Sequence, residues 1–158
     1  EKNVSLKIEN DPGITEIIKG DSIRLTQVLI NLIGNALKFT QQGYIKLKTV
    51  VIKNDTETQL IEFHVIDTGI GIEEDKLHLI FEGFTQADSS INRKYGGSGL
   101  GLSISQKLIE LFGGRLQVQS KKGFGSVFYF AIELKKGNEN ELETHHSNEN
   151  TKINLYGI

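Results

Sequence analysis

Residues 22–39 carry the pattern that most restricts the fold. Leu25, Val28, Leu29, Leu32, Ile33 and Ala36 fall at i, i+3, i+4, i+7, i+8 and i+11, the spacing of one face of an α-helix. Such a face must be buried against another layer. Asp21 or Ser22 stands where an N-cap is needed, so a helix is expected over Ser22–Phe39. A second stripe, Gln27, Asn31, Asn35 and Lys38, advances by four, four and three. At about 100° per residue it points well away from the centre of the apolar face. One helix thus has a greasy side and a separate amide-and-lysine side.

The rest of the chain alternates strands with glycine-rich turns. Residues 44–53 and 59–67 read as antiparallel strands joined by a polar turn at 54–57. Residues 4–8 alternate apolar and polar, as an edge or half-buried strand does. Asp11-Pro12-Gly13 marks a turn, and a short segment at 15–19 leads to the helix. A short helix is expected over 73–81. A second amphipathic helix is expected over 100–112, with Leu100, Ile104, Leu108 and Leu111 aligned and Gly113-Gly114 stopping it. Residues 115–120 and 125–134 read as a hairpin turned by Lys121-Lys122-Gly123. Between the helices, 82–98 is polar and without a firm period, a length of loop that is usually functional. From about Lys135 onward the chain is rich in Asn, Glu and His and reads as linker or tail.

Composition narrows the function classes. A chain of 158 residues suits one ordinary domain. A formal net charge of −2 with no Lys/Arg-rich block argues against nucleic acid as the main partner. Cysteine is absent, which removes disulfides, cysteine zinc sites and thiol nucleophiles. No apolar run approaches the roughly 20 residues of a spanning helix, and the N-terminus has no signal-peptide pattern. Methionine is absent even at position 1, as expected of a piece of a longer chain.

Four short signals then occur in order. In the first, Asn31, Asn35 and Lys38 offer neutral oxygen ligands suited to Mg²⁺ and a point charge suited to phosphate. By itself this stripe also fits a solvated helix face. The second is Asp67-Thr68-Gly69-Ile70-Gly71-Ile72, directly after an apolar strand. Its glycines permit close backbone approach to a flat ligand, and its Asp can accept from an exocyclic amine. A plain strand-to-helix turn would look the same. The third, Gly96-Gly97-Ser98-Gly99-Leu100-Gly101-Leu102, opens a helix, where bared N–H groups make an anion site. Arg93 and Lys94 stand just upstream, in reach of a terminal phosphate. The fourth is Gly123-Phe124-Gly125-Ser126-Val127-Phe128, which alone is no more than a hairpin turn with a hydroxyl. Neither the dinucleotide fingerprint nor a Walker A loop is present.

Taken together, these signals resemble the N, G1, G2 and G3 boxes of the Bergerat-fold ATPases. Phe81-Glu82-Gly83-Phe84 resembles the F box of histidine kinases. The resemblance covers about residues 4–134, and its five boxes in order are highly specific. It implies an α/β (α+β) two-layer sandwich, a mixed and mostly antiparallel sheet covered on one face by about three helices. It implies the catalytic ATP-binding domain of a sensor histidine kinase, over residues 1–135. Its cofactors would be ATP and Mg²⁺, and its chemistry donation of the γ-phosphate to a histidine elsewhere.

Residue by residue, the resemblance makes Asn35 the Mg²⁺ ligand and gives Asn31 and Lys38 the phosphates, with Phe39 against the adenine. Asp67 would accept from the adenine N6 amine, and Gly69, Gly71 and Ile72 would line the base pocket. Phe81 belongs to the F box and counts among the nucleotide-site residues. Gly97, Gly99 and Gly101 would meet the phosphates, with Leu100 and Leu102 packed behind them. Ser126 keeps a hydroxyl where the family often has Thr. Asn31, Lys38, Arg93 and Lys94 would act on the transferred phosphate. Relatives that hydrolyse ATP have a glutamate at the position of Asn31. An amide cannot serve as general base, so slow intrinsic hydrolysis is expected.

The family's acceptor motif, His-Glu/Asp-x-Arg/Lys-Thr-Pro, is absent, since Pro12 is the only proline. His64, His78, His145 and His146 are not expected to accept phosphate. The partners implied are a histidine-containing dimerisation domain, in cis in the full-length protein, and a response regulator or receiver domain, with no nucleic acid. Residues 153–158 resemble the lead-in to a receiver domain, so residues 136–158 read as a linker in a hybrid kinase. The isolated domain is expected to be a monomer, in the cytoplasm, from a membrane-anchored sensor kinase. Two other readings stay open at this point: an anti-sigma-type serine kinase, and a nucleotide-sensing domain without phosphotransfer.

Overall fold

The computed structural model describes residues 1–82 and 100–138. Six strands form one sheet: β1 (Asn3–Glu9), β2 (Ile18–Lys19), β3 (Gln42–Asn54), β4 (Thr58–Asp67), β5 (Gln117–Lys121) and β6 (Gly125–Lys136). The order is β1-β3-β4-β6-β2, and β5 also pairs with β6. Only the β1–β3 pair is parallel among the described strands, with Asn3 opposite Gln42. The mixed, mostly antiparallel sheet is therefore as expected, and β1 is the edge strand that its short alternation suggested. The two-residue β2 had no sequence signal. It exists because Ile18 and Lys19 meet the far end of β6 at Lys136 and Lys135.

Among the described residues two α-helices, α1 (Ser22–Phe39) and α2 (Leu100–Leu111), cover one face of this sheet. Alternation along β4 decides which face. Ile61, Phe63 and Val65 are fully buried, whereas Glu62 and His64 between them are half-exposed on the other side. On α1 the expected stripe supplies Leu25, Val28, Leu29, Leu32 and Ala36 to the same core, with Ile33 half-buried at its margin. Each fully buried aliphatic side chain contributes about 1.5–3 kcal/mol before entropy is charged against it. Phe63 and Phe130, opposite one another across β4 and β6, stack at 5.2 Å between ring centroids.

The ends of α1 are closed by side chains. Asp21 is the N-cap, accepting from the Arg24 N–H at 3.1 Å. At the other end Thr40 Oγ1 donates to Ala36 O at 2.7 Å. Lys2 Nζ donates to Leu37 O at 2.7 Å and Lys38 O at 3.2 Å, a cation on the negative pole of the helix.

Two expectations need correction. The helix expected over 73–81 is two single 3-10 turns, Glu74–Lys76 and Leu79–Phe81. Glu73 stands at the N-cap but makes no capping bond, because its carboxylate pairs with Lys122 and Lys76 instead. Without a cap, a short helix nucleates poorly. On α2 the expected stripe divides: Leu108 packs half-buried against the core, whereas Ile104 and Leu111 lie outside it. Ser105 and Ile109 are fully buried, while Ile104 is 41% and Leu111 69% exposed. Residues 102, 105, 109 and 112 also recur at helical spacing, and this second stripe faces the core beside Leu108. A small residue at 105 lets the two helices approach, and Asn31 Nδ2 reaches Ser105 Oγ at 3.5 Å.

Candidate nucleotide site

The loop at residues 67–72 is gripped from two sides. On one side the Ile70 N–H donates to Phe39 O at 3.2 Å, tying the loop to the last residue of α1. A Cβ on Gly69 would lie 2.4 Å from that same carbonyl and 2.8 Å from Thr40 Oγ1. On the other side the Gly123 N–H donates to Ile70 O at 2.6 Å, and the Ile72 N–H to Ser120 Oγ at 2.8 Å. Gly71 has φ +69°, and a Cβ there would lie 2.1 Å from Lys121 O. What demands glycine at 69 and 71 is therefore the approach of the protein's own backbone. Glu73 and Lys122 add an ion pair across the same seam. This pair and the neighbouring Lys76 hold the Glu73 carboxyl below its ordinary value, the Lys122 hydrogen bond being the largest cause.

Asp67 ends β4 at the base of this loop and is 6% exposed. Its Oδ1 accepts from the Gly69 N–H at 2.9 Å. Burial nevertheless outweighs the N–H groups of Gly69 and Ser126 and raises its pKa above the ordinary carboxylate value. Register places Asp67 opposite Ser126 and Ser126 opposite Ser120. Asp67 and Ser126 are both buried on the helix-covered side of the sheet. A buried carboxylate and two hydroxyls thus lie in one cross-strand row, with Ser120 Oγ 2.7 Å from Ser126 Oγ.

The amide-and-lysine stripe lies on α1, whose last residue, Phe39, meets the same loop. Asn31, Asn35 and Lys38 are half-buried, whereas Gln27, on the same stripe, is exposed. Phe39 is half-buried at the helix end where the loop attaches. The fold therefore brings together Asp67, Gly69, Gly71 and Ile72, the end of the amide stripe, and Ser126. Phe81 and Leu102 pack half-buried against the core, as does Ile72. Leu100 and Gly101 open α2. Arg93, Lys94, Gly97 and Gly99 lie outside the described residues.

Sequence reasoning missed three residues here. Lys2 caps α1 from a distant strand end, Ser105 meets Asn31, and Ser120 receives the loop. A small residue inside the apolar stripe of α2 was the available signal for Ser105. Lys2 and the contact of Ser120 with Ile72 have no local signal, because these partners lie at least 35 residues away in the chain.

This arrangement, a mixed sheet covered on one face by helices with an Asp-glycine loop beside an amide-bearing helix, is that of an adenine-nucleotide-binding domain. The chain belongs to the family described as histidine kinase-, DNA gyrase B-, and HSP90-like ATPase, whose model matches residues 20–136, and within that family to the catalytic domains of histidine kinases. It is 43% identical over 134 residues to the autoinducer 2 sensor kinase/phosphatase LuxQ of Vibrio cholerae, covering 85% of this chain and 16% of that protein. It is 43% identical over 151 residues to hybrid signal transduction histidine kinase K of Dictyostelium discoideum, covering 90% and 12%. The chain spans less than a fifth of the length of either relative. Among solved structures it is similar to the catalytic domain of histidine kinase ThkA, at 31% identity and TM-score 0.63, covering 82% and 78%. It is also similar to full-length ShkA in complex with AMPPNP, at 32% identity and TM-score 0.69, covering 85% and 26%. Among the described residues no helix is long and apolar enough to cross a membrane.

Proposed function

We propose that this domain binds Mg-ATP and donates the γ-phosphate to a histidine on a separate dimerisation and phosphoacceptor domain. The observation that carries the reading is the convergence on one loop. The buried Asp67 carboxylate, the end of the Asn31/Asn35/Lys38 helix and the Ser126 hairpin are joined by hydrogen bonds through Ile70, Ile72 and Gly123. Asp67 accepts from the exocyclic amine of adenine. Guanine would set a carbonyl against it, and an unpaired buried group costs about 1–3 kcal/mol. The preference for ATP over GTP is then roughly 5- to 150-fold.

The α1 residues fit a metal-bound triphosphate. Asn35 would supply a neutral oxygen ligand to Mg²⁺, an ion suited to such oxygens. Asn31 and Lys38 hold the phosphates, joined by Arg93, Lys94, Gly97, Gly99 and Gly101. Phe39, Ile72, Leu100, Leu102 and Phe81 supply apolar walls. Bound there, Mg²⁺ would neutralise part of the phosphate charge. Asn31 cannot take a proton from water, so the γ-phosphate is kept for the histidine rather than lost to hydrolysis. In transfer, the lone-pair nitrogen of a neutral imidazole forms the new bond to phosphorus as the bond to the ADP oxygen breaks, ADP leaves with that electron pair, and the proton on the other ring nitrogen passes to water.

Residues 1–135 form the catalytic unit in this reading, and 136–158 lead toward a receiver domain of a hybrid kinase that works at the cytoplasmic side of a membrane-anchored sensor. The named relatives support this, since one is called a hybrid histidine kinase and another a sensor kinase/phosphatase. The test is titration with ADP and a non-hydrolysable ATP analogue, with and without Mg²⁺. Labelled ATP is then given with an added histidine-hairpin domain. Binding plus label on the hairpin histidine is expected. Binding without transfer to any acceptor hairpin leaves a nucleotide-sensing domain, and no binding by the folded domain overturns the reading.

A further inference from the structure

Ser120 sits at the penultimate position of β5, outside every motif by which the domain is recognised in its sequence. Its hydroxyl meets three groups at once. The Ile72 N–H donates to it at 2.8 Å, Gly125 O lies 3.0 Å away as an acceptor, and Ser126 Oγ lies at 2.7 Å. A serine hydroxyl has one proton and two lone pairs. A carbonyl can only accept, so the contact to Gly125 uses the one proton of Ser120. The Ile72 N–H takes one lone pair. All three contacts are satisfied together only when Ser126 donates its own proton to the second lone pair.

The consequence falls on the next member of the row. With its proton turned toward Ser120, Ser126 keeps only acceptor lone pairs for whatever lies beside Asp67, its cross-strand neighbour. Two adjacent acceptors suit an exocyclic amine and oppose a carbonyl. The same hydroxyl also holds the backbone of Ile72, and so sets how far the loop stands from the sheet. We infer that Ser120 is a positioning residue for base selection, acting through Ile72 and Ser126 without touching the nucleotide. This rests on the adenine-nucleotide reading of the site.

The experiment uses the whole chain and its S120A, S120T and S120C variants. Dissociation constants for ADP and GDP are measured by calorimetry, and exchange of the Ile72 amide is followed without nucleotide. Loss of one buried hydrogen bond corresponds to roughly a 3- to 10-fold change in affinity. S120A should weaken ADP by about that factor, bring the ADP-to-GDP ratio down, and speed exchange at Ile72. S120T, which keeps the hydroxyl and suits a strand, should restore all three. Should S120A fail to fold, S120C carries the same test, because a thiol is a weak donor of similar size.

Wild-type affinity in S120A and S120C, equal weakening of ADP and GDP, or no rescue by a folded S120T would each overturn the proposal while nucleotide binding by the wild type stands. A wild-type domain that binds no nucleotide would overturn the adenine reading and this inference together. Those two failures are told apart by the wild type alone.

Discussion

Replacing Asp67 by Asn separates the cost of burying this carboxylate from its use. The side chains have nearly the same shape, and an Asn oxygen can keep the bond from the Gly69 N–H, now 2.9 Å long. What changes is the other position, where an acceptor becomes an NH₂ donor facing the adenine amine. A net hydrogen bond to a charged group contributes about 1.5–3 kcal/mol. ADP affinity should therefore fall roughly 10- to 150-fold. GDP, with a carbonyl at that place, should be spared, so discrimination between the bases collapses. Stability should move the other way. Burial raises the Asp67 pKa despite the two backbone N–H groups, so the folded state disfavours the charge and a neutral isostere is not penalised. The melting temperature of D67N at pH 7.5 should equal or exceed that of the wild type. Calorimetry with ADP and GDP beside thermal melts checks both halves. A variant that loses affinity and stability in parallel would show that Asp67 is a structural residue and would refute the reasoning. So would one that binds ADP undiminished.

Protonation gives a second check on the same group. Its folded pKa is raised, so its stabilising contribution, taken relative to D67N, is full below the unfolded value and is lost as pH rises through the folded one. In the proposed reading ADP binding needs the carboxylate, so it should strengthen over that same rise, a slope that D67N should lack in pH-dependent titrations. Alanine at three glycines should give three outcomes in thermal melts. G34A has open space on an exposed helix face and should stabilise by about 0.5–1 kcal/mol. G69A meets Phe39 O at 2.4 Å and should cost about 1–3 kcal/mol, as overpacking does. G71A adds a left-handed backbone to a 2.1 Å clash and should cost more than G69A, with loss of ADP binding in both. Phosphate release from ATP by the isolated domain should be slow, and N31E should raise it at least several-fold. Fast turnover indifferent to Asn31 would contradict the role of the amide.

The legible part of this molecule is whatever was written in neighbouring residues. Helix α1 was readable to the residue because its cap, its apolar period and its terminating turn all lie within 21–43. The strands were readable because β3, β4 and β6 alternate along their own length. Where two patterns overlapped, as on α2, periodicity alone could not choose. The sheet chose the stripe through Ser105 and Ile109, and left Ile104 and Leu111 outside. Where a cap was diverted, as at Glu73, the helix did not form, because Lys122 stands 49 residues away and no local rule includes it.

The candidate site follows the same division, with one consequence for how it works. Glycine spacing announced a loop that something approaches closely, and that much was right. The approaching groups turned out to be Phe39 O on one side and Lys121 O on the other. The loop's conformation is thus held by contacts with α1 and the β5–β6 hairpin, and contacts of this kind reduce the energy that binding spends on ordering a loop. Preorganisation of this kind also explains why a buried, pKa-raised Asp67 is tolerated: the surrounding backbone holds the carboxylate in place at a standing cost, which in the proposed reading an adenine amine offsets. On that argument, loosening either grip should weaken ADP even when every base-contacting group is kept. An Ile70 amide that exchanges no faster in G69A than in the wild type would remove the premise.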